Sequence, residues 1–385
     1  MKKLVFIDSL KKLKNLEEFE VIGTNDKLKQ IIVSEYKNKI KKSNVKVITS
    51  LNYLLDFIDK NVELYVFKDK PTIFETKPIF PISIPKSGTH LLFELLYALG
   101  YKKGEILPSK PKSKRWYYLE NSNSHTECKR FFLDKVYNEA FGNRDNFFVT
   151  SPSLFIYRHP LDILVSEANY YHKIGRTAFY SYFDGLSFDE RVSLLINDKW
   201  LLGSVRDRVA NFICWLKFPN VIAISFEEII GSLGGGDDEL QLKAIWSIML
   251  KLQIEGSPTE IAKKIYNTKS DTFNKGKIGN FKNELKSYHY EEFKKLNQDF
   301  MEELGYDINN IFSKKVDFFR KKMFKIDRVE HPNYLKEIFF FDFNIVKEKE
   351  LFVGYKYQQG IKLEDDTLEG LKLKILKYWI KGVKC

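Results

Sequence analysis

Cysteine is scarce in this chain. Its three cysteines, Cys128, Cys214 and Cys385, are spaced too widely for a disulfide framework or a zinc site. Such usage fits a reducing compartment, and a cytoplasmic setting is expected. Long apolar runs are also lacking, and none reaches the roughly 18 residues that a membrane-spanning helix needs. The N-terminal MKKLVFIDSLKKLKN starts basic, but its apolar run is too short for a signal peptide. No internal repeat and no low-complexity tract interrupts the sequence. Acidic residues fall short of basic ones, 51 against 63, which leaves a net charge of +12. That excess favours an anionic partner without choosing among a nucleotide, an acidic glycan, a nucleic acid and a lipid surface.

What is present argues for a folded protein. Hydrophobic residues make up 44% and aromatics 15%, in a chain of 385 residues long enough for one large or two ordinary domains. Residues 1–75 alternate short β-rich runs (LVFI, FEVIG, VKVITS, ELYVF) with lysine-rich helical stretches and read as a small α/β unit. The stretch FKDKPTIFETKP, with two prolines, reads as a linker. From about Ile79 strands and helices alternate more strongly. SLFIYRHP runs into LDILVSEANYYHK, and NVIAISFEEI passes through a glycine-rich turn into QLKAIWSIMLKL. That order predicts a parallel sheet covered on both faces. After Tyr306 the pattern changes: IFFFDFNIV and ELFVGYKYQQG read as a hairpin pair, and LEGLKLKILKYWIKGVK as a basic amphipathic helix. The expected units are therefore residues 1–75, 76–310 and 311–385.

Within PISIPKSGTHLLFELLYALG, residues 81–100, an apolar run meets a Lys-Ser-Gly-Thr turn and then apolar residues at helical spacing. A strand, a tight loop and a helix starting at that loop form an anion site, because unpaired amides and the helix dipole converge there. In the nucleoside-triphosphate loop the lysine follows the last glycine; here Lys86 precedes Gly88, which disfavours a kinase or ATPase. Two further motifs follow in order. Arg158-His159-Pro160-Leu161-Asp162 leads to Ser166 at a strand-to-helix junction, and Asn274-Lys275-Gly276-Lys277-Ile278-Gly279-Asn280-Phe281-Lys282-Asn283 comes late.

Taken together, the three motifs resemble those of the sulfotransferases that use 3′-phosphoadenosine 5′-phosphosulfate (PAPS). The resemblance spans about three-fifths of the chain, Ile79 to Asp307. It implies an α/β fold of P-loop type, a parallel sheet flanked by helices, with the small N-terminal α/β unit and a C-terminal hairpin-and-helix extension added. It also implies transfer of a sulfuryl group from PAPS to an acceptor hydroxyl or amine of a glycan, lipid or small metabolite, without a metal. Lys86, Ser87, Gly88, Thr89 and His90 would bind the 5′-phosphosulfate, with Lys86 also stabilising the leaving phosphate. Arg158 and Ser166 would hold the 3′-phosphate, a job suited to a guanidinium beside a hydroxyl. Lys275 and Gly276 would complete the grip. The chain departs from the family pattern at His90 and Leu91, where many relatives have Thr and an adenine-stacking Trp. It departs again at Asn274, in place of Arg, and at Phe281, in place of Trp.

A sulfuryl acceptor needs a base. His125, in NSNSHTE between the first two motifs, is the candidate, with the carboxylates of Glu120 and Glu127 as alternatives; His172, in NYYHK, is the next candidate, although on its helix it reads rather as a packing residue. Asp162 reads as a brace for its helix start, and Gly234–Gly236 as a flexible turn without a ligand. KPKSKRWYYLE mixes cations and aromatics and suits a sugar or acidic acceptor or a plain surface loop; no nucleic-acid fold accompanies it. The C-terminal helix carries five lysines between Lys372 and Lys384. It would suit an anionic membrane surface or dock on its own protein. A non-catalytic nucleotide-binding module is the alternative reading, and a kinase a weaker one.

Overall fold

The computed structural model describes residues 3–6, 20–22, 45–48, 64–67, 79–107, 116–120, 152–217, 221–252, 254, 256–265, 277–315, 329–330, 336–340, 343–356 and 360–382. Residues 68–78 of the linker stretch, His125, Glu127, Asn274, Lys275 and Gly276 lie outside them.

The four β-rich runs of the N-terminal region form strands β1 (Lys3–Phe6), β2 (Glu20–Ile22), β3 (Val45–Ile48) and β4 (Leu64–Phe67). They make a parallel sheet in the order β1-β4-β3-β2.

The central sheet is built from β5 (Phe80–Ser83), β8 (Ser153–Tyr157) and β9 (Val221–Ser225). They run parallel in the order β5-β8-β9, with Ile82 opposite Phe155 and Phe155 opposite Ala223. Successive side chains of a strand point to opposite faces, and here both faces are covered. Ile79, Leu154, Ile156, Ile222 and Ile224 enter one buried cluster. Phe80, Ile82, Phe155, Tyr157, Val221 and Ala223 enter the other. Strands buried on both faces read as continuous apolar runs, which is why SLFIY and VIAIS lack alternation.

Helix α1 (Thr89–Ala98) covers the first face with Leu91, Leu92, Leu95 and Leu96, each worth roughly 1.5–3 kcal/mol of burial. It ends at Gly100 (φ 87°), where Gly100 N–H donates to the Tyr97 carbonyl and Tyr101 N–H to that of Leu96, a Schellman stop. Helices α6 (Asp238–Lys251) and α7 (Pro258–Ile265) complete that face. On the second face lies α2 (Pro160–Ala168), begun by Pro160 at its first helical position. Every residue of α2 is buried except Ser166, which is half-buried. Helices α3 (Phe188–Asn197), α4 (Val205–Ile213), α8 (Phe281–Glu284), α9 (Ser287–Lys294) and α10 (Asp299–Leu304) pack around it, and α5 (Phe226–Ile229) caps β9.

Two shorter features refine the expectations. Trp116–Glu120 of the KPKSKRWYYLE stretch form β7, a parallel partner of β6 (Lys102–Leu107) rather than a plain loop. The C-terminal hairpin pair is an antiparallel meander, β10 (Val329–Glu330), β11 (Lys336–Phe340), β12 (Phe343–Glu348), β13 (Leu351–Lys356) and β14 (Ile361–Asp365). IFFFDFNIV is two strands, not one, paired with Phe340 opposite Phe343. Helix α11 (Leu368–Gly382) lies on β13 and β14, burying Leu371 and Ile375 in the cluster that holds Phe343 and Ile345. These apolar residues of the tail helix are thus covered by the chain's own sheet. Among the described residues no helix is long and apolar enough to cross a membrane.

Candidate nucleotide site

In open parallel sheets ligands bind beyond the carboxyl ends of the strands. The first two motifs and the residues after β9 meet there. After β5 the chain turns through Ile84–Ser87, with Ser87 N–H donating to the Ile84 carbonyl at 3.0 Å. Pro85 takes the second place of this turn and Lys86 the third, at φ 66°, the left-handed angle that a type II turn demands there. Glycine is the usual occupant, and a side-chain-bearing residue pays roughly 1–2 kcal/mol for it. The sequence accepts that strain at its one loop cation.

Gly88 follows at φ 109°, and a Cβ there would lie 2.6 Å from Phe226 Cδ2. Only glycine lets the loop settle onto the start of α5. Ser87 is fully buried, its hydroxyl 2.6 Å from the Ile84 carbonyl and 3.0 Å from that of Ile156. It therefore stitches the loop to β8 instead of facing outward. Thr89 Oγ1 lies 2.7 Å from Ser83 Oγ, and His90 is exposed, edge-on to Phe93.

The Lys86 ammonium rests over the Tyr170 ring, 3.5 Å from its centroid. Burial lowers its pKa to about 8, opposed by the Glu167 carboxylate and helped by the charges of Lys173 and Arg158. Glu167 is itself buried in α2 and held by a fork: Arg208 Nη2 at 2.6 Å, Arg208 Nε at 3.1 Å and the Tyr171 hydroxyl at 3.2 Å. A carboxylate inside the apolar run LDILVSEA is the signal that sequence reading passed over, since a buried charge requires a partner.

Arg158, at the end of β8, is 8% exposed, and its guanidinium lies over the Phe226 ring at 4.2 Å. Nη2 donates to the Lys277 carbonyl at 2.7 Å and faces Asp162 Oδ2 at 3.5 Å, while Nε has no hydrogen-bond partner among the described residues. Ser166 holds the half-buried position of α2, near the end of that helix.

The third motif is fastened to the second. Asp162, fully buried, accepts Gly279 N–H at 2.8 Å and Phe281 N–H at 3.2 Å. Its work is to brace residues 279–281 rather than its own helix start. Phe281 stacks on His159 at 4.5 Å, and Ile278 N–H donates to the Gly234 carbonyl at 3.1 Å. The turn at Gly234–Gly236 is thereby fixed, with Gly236 N–H returning to the Gly231 carbonyl at 2.8 Å. Asp162→Ala should strip two amides and Arg158 of a buried partner. We expect a stability loss of roughly 3–5 kcal/mol, read as a lower urea midpoint, with Asp162→Asn less damaging because one carbonyl acceptor remains.

His159 is structural. Nδ1 accepts Leu161 N–H and Nε2 donates to the Asp307 carbonyl at 3.1 Å, and burial pushes its pKa down to about 4, so it stays neutral. Its backbone N–H donates to Glu227 Oε1 at 2.9 Å, and Glu227 Oε2 accepts the Tyr306 hydroxyl at 2.5 Å. Burial raises Glu227 to about 7. His172 pairs Nδ1 with the Ala168 carbonyl at 3.1 Å, closing the end of α2 in keeping with a packing role. Glu120 ends β7.

No protein-family model matches the sequence, and no curated protein matches it either. Solved structures do. Mouse sulfotransferase SULT7A1, complexed with PAP, is 19% identical with a TM-score of 0.42, covering 60% of this chain and 86% of that one. Retinol dehydratase, in complex with androsterone and the inactive cofactor PAP, is 13% identical with a TM-score of 0.34, covering 59% and 81%.

Proposed function

We propose that the chain is a PAPS-dependent sulfotransferase acting on an acceptor hydroxyl or amine. The observation that carries this reading is the placement of two cations at the carboxyl ends of adjacent parallel strands, Lys86 after β5 and Arg158 after β8. PAPS bears phosphate at two separated points, and two cationic pockets match it. Lys86 beside the α1 N-terminus takes the 5′-phosphosulfate. Arg158, whose Nε has no hydrogen-bond partner among the described residues, and Ser166 take the 3′-phosphate.

The chemistry follows from those positions. The acceptor oxygen or nitrogen attacks sulfur, the sulfur–oxygen bond to the 5′-phosphate breaks, and the departing phosphate gains negative charge that Lys86 absorbs. The acceptor's proton goes to a base, for which His125 and the carboxylates Glu120 and Glu127 remain the candidates. Incubation with 35S-labelled PAPS and a panel of sugars, lipids and small alcohols and amines tests the reading: labelled product supports it. Binding without transfer to any acceptor would favour a nucleotide-binding module, and product made only with ATP would favour a kinase.

The charge on Lys86 also sets a pH dependence. A lysine held at about 8 loses its proton well below the ordinary lysine range. The rate at limiting PAPS (kcat/KM), which reports the free protein, should therefore fall as pH rises through about 8. Lys86→Arg, permanently charged, should remove that alkaline limb even if its overall rate is lower.

A further inference from the structure

We propose that Tyr170 is a positioning residue for Lys86: its ring face holds the ammonium charged and in place beside the β5–α1 loop. The geometry is direct, with Nζ 3.5 Å from the ring centroid. Neither the three motifs nor their spacing includes this tyrosine. It sits just past α2, where Tyr170 N–H donates to the Glu167 carbonyl at 2.9 Å, and Lys173 N–H returns to the Tyr170 carbonyl at 3.1 Å. The ring is thus carried on the turn that ends the helix bearing Ser166.

The surroundings explain why such a ring is needed. Lys86 is withdrawn from water, and the charged groups that act on it are mixed. Glu167, from α2, attracts it; Lys173, from the turn after α2, and Arg158, from the end of β8, repel it. Glu167 is already engaged by Arg208, so its attraction is shared. An aromatic face offers electrostatic attraction without adding a competing anion that would repel the incoming phosphate. The strained backbone of Lys86 points the same way, since a left-handed side-chain-bearing residue persists only where its surroundings over-determine it. Turnover enters only as a consequence, and that part rests on the sulfotransferase reading; the placement of the ammonium does not.

The test reads Lys86 itself. Its acylation by a small amine-reactive reagent, followed by peptide mass spectrometry across pH, should give a midpoint near 8 in the wild type. Tyr170→Phe should leave that midpoint in place. Tyr170→Leu keeps the apolar cover but removes the π face, and should lower it by about one pH unit. Should leucine disturb folding, phenylalanines of increasing ring fluorination at position 170 keep the shape and weaken the face step by step. The midpoint should then fall with each fluorine. An unchanged or raised midpoint in the leucine variant, or no trend with fluorination, would overturn the proposal. If the midpoints move as expected while no variant or wild type transfers sulfate, the placement stands and the sulfotransferase reading fails.

Discussion

Lys86→Ala should lower turnover by on the order of a hundredfold or more, about 2.7 kcal/mol of transition-state stabilisation, while nucleotide affinity falls much less. The reason is differential: the ammonium matters most when the phosphate carries its full leaving-group charge. Equal losses in turnover and affinity would reduce Lys86 to a binding residue, and no loss in either would remove the loop from the site. Lys86→Gly provides a control for the backbone. Glycine relieves the φ of 66° but removes the cation. It should be at least as stable as the alanine variant and as slow, which would separate the strain from the charge. Steady-state kinetics with thermal melts of both variants decide between these outcomes.

Arg158→Ala should erase most of the preference for adenosine 3′,5′-bisphosphate over AMP. Removing one partner of a buried charged contact is worth roughly 2–5 kcal/mol, at least ~30-fold in the affinity ratio. The ratio is the right readout because Arg158 also anchors the Lys277 carbonyl and faces Asp162, so its loss costs stability as well. A general loosening would weaken both nucleotides together. Arg158→Lys should recover only part of the ratio, since an ammonium does not reproduce the guanidinium fork. Were alanine to leave the ratio intact, the 3′-phosphate pocket would have to lie elsewhere.

The elements around this site were legible because their residues obey simple periodicities. Apolar runs of strand length marked β5, β8 and β9, Pro160 marked the start of α2, and Gly100 closed α1. Lys86 and Arg158 share the carboxyl end of the sheet because their strands are parallel neighbours. What the sequence hid were side-chain directions. PKSGT does not say where the Ser87 side chain points, and its hydroxyl turns inward to two carbonyls. Gly234–Gly236 looked loose, but its carbonyl at Gly234 holds Ile278. Asp162 reads locally as a helix-start brace, and only the fold shows that its two oxygens reach across 117 and 119 residues to Gly279 and Phe281. Tyr170 carried no signal, because a tyrosine after an apolar helix is ordinarily core; its role comes from the lysine that the strained turn brings to it.

The most direct test of the account is calorimetric titration of the wild-type protein with adenosine 3′,5′-bisphosphate, AMP and ATP at neutral pH and one fixed salt concentration. If Lys86 and Arg158 hold the two phosphate-bearing ends of PAPS as proposed, the bisphosphate should bind at least ~30-fold more tightly than AMP, and ATP, lacking a 3′-phosphate, should gain none of that advantage. Equal affinity for the bisphosphate and AMP, or tightest binding of ATP, would contradict it.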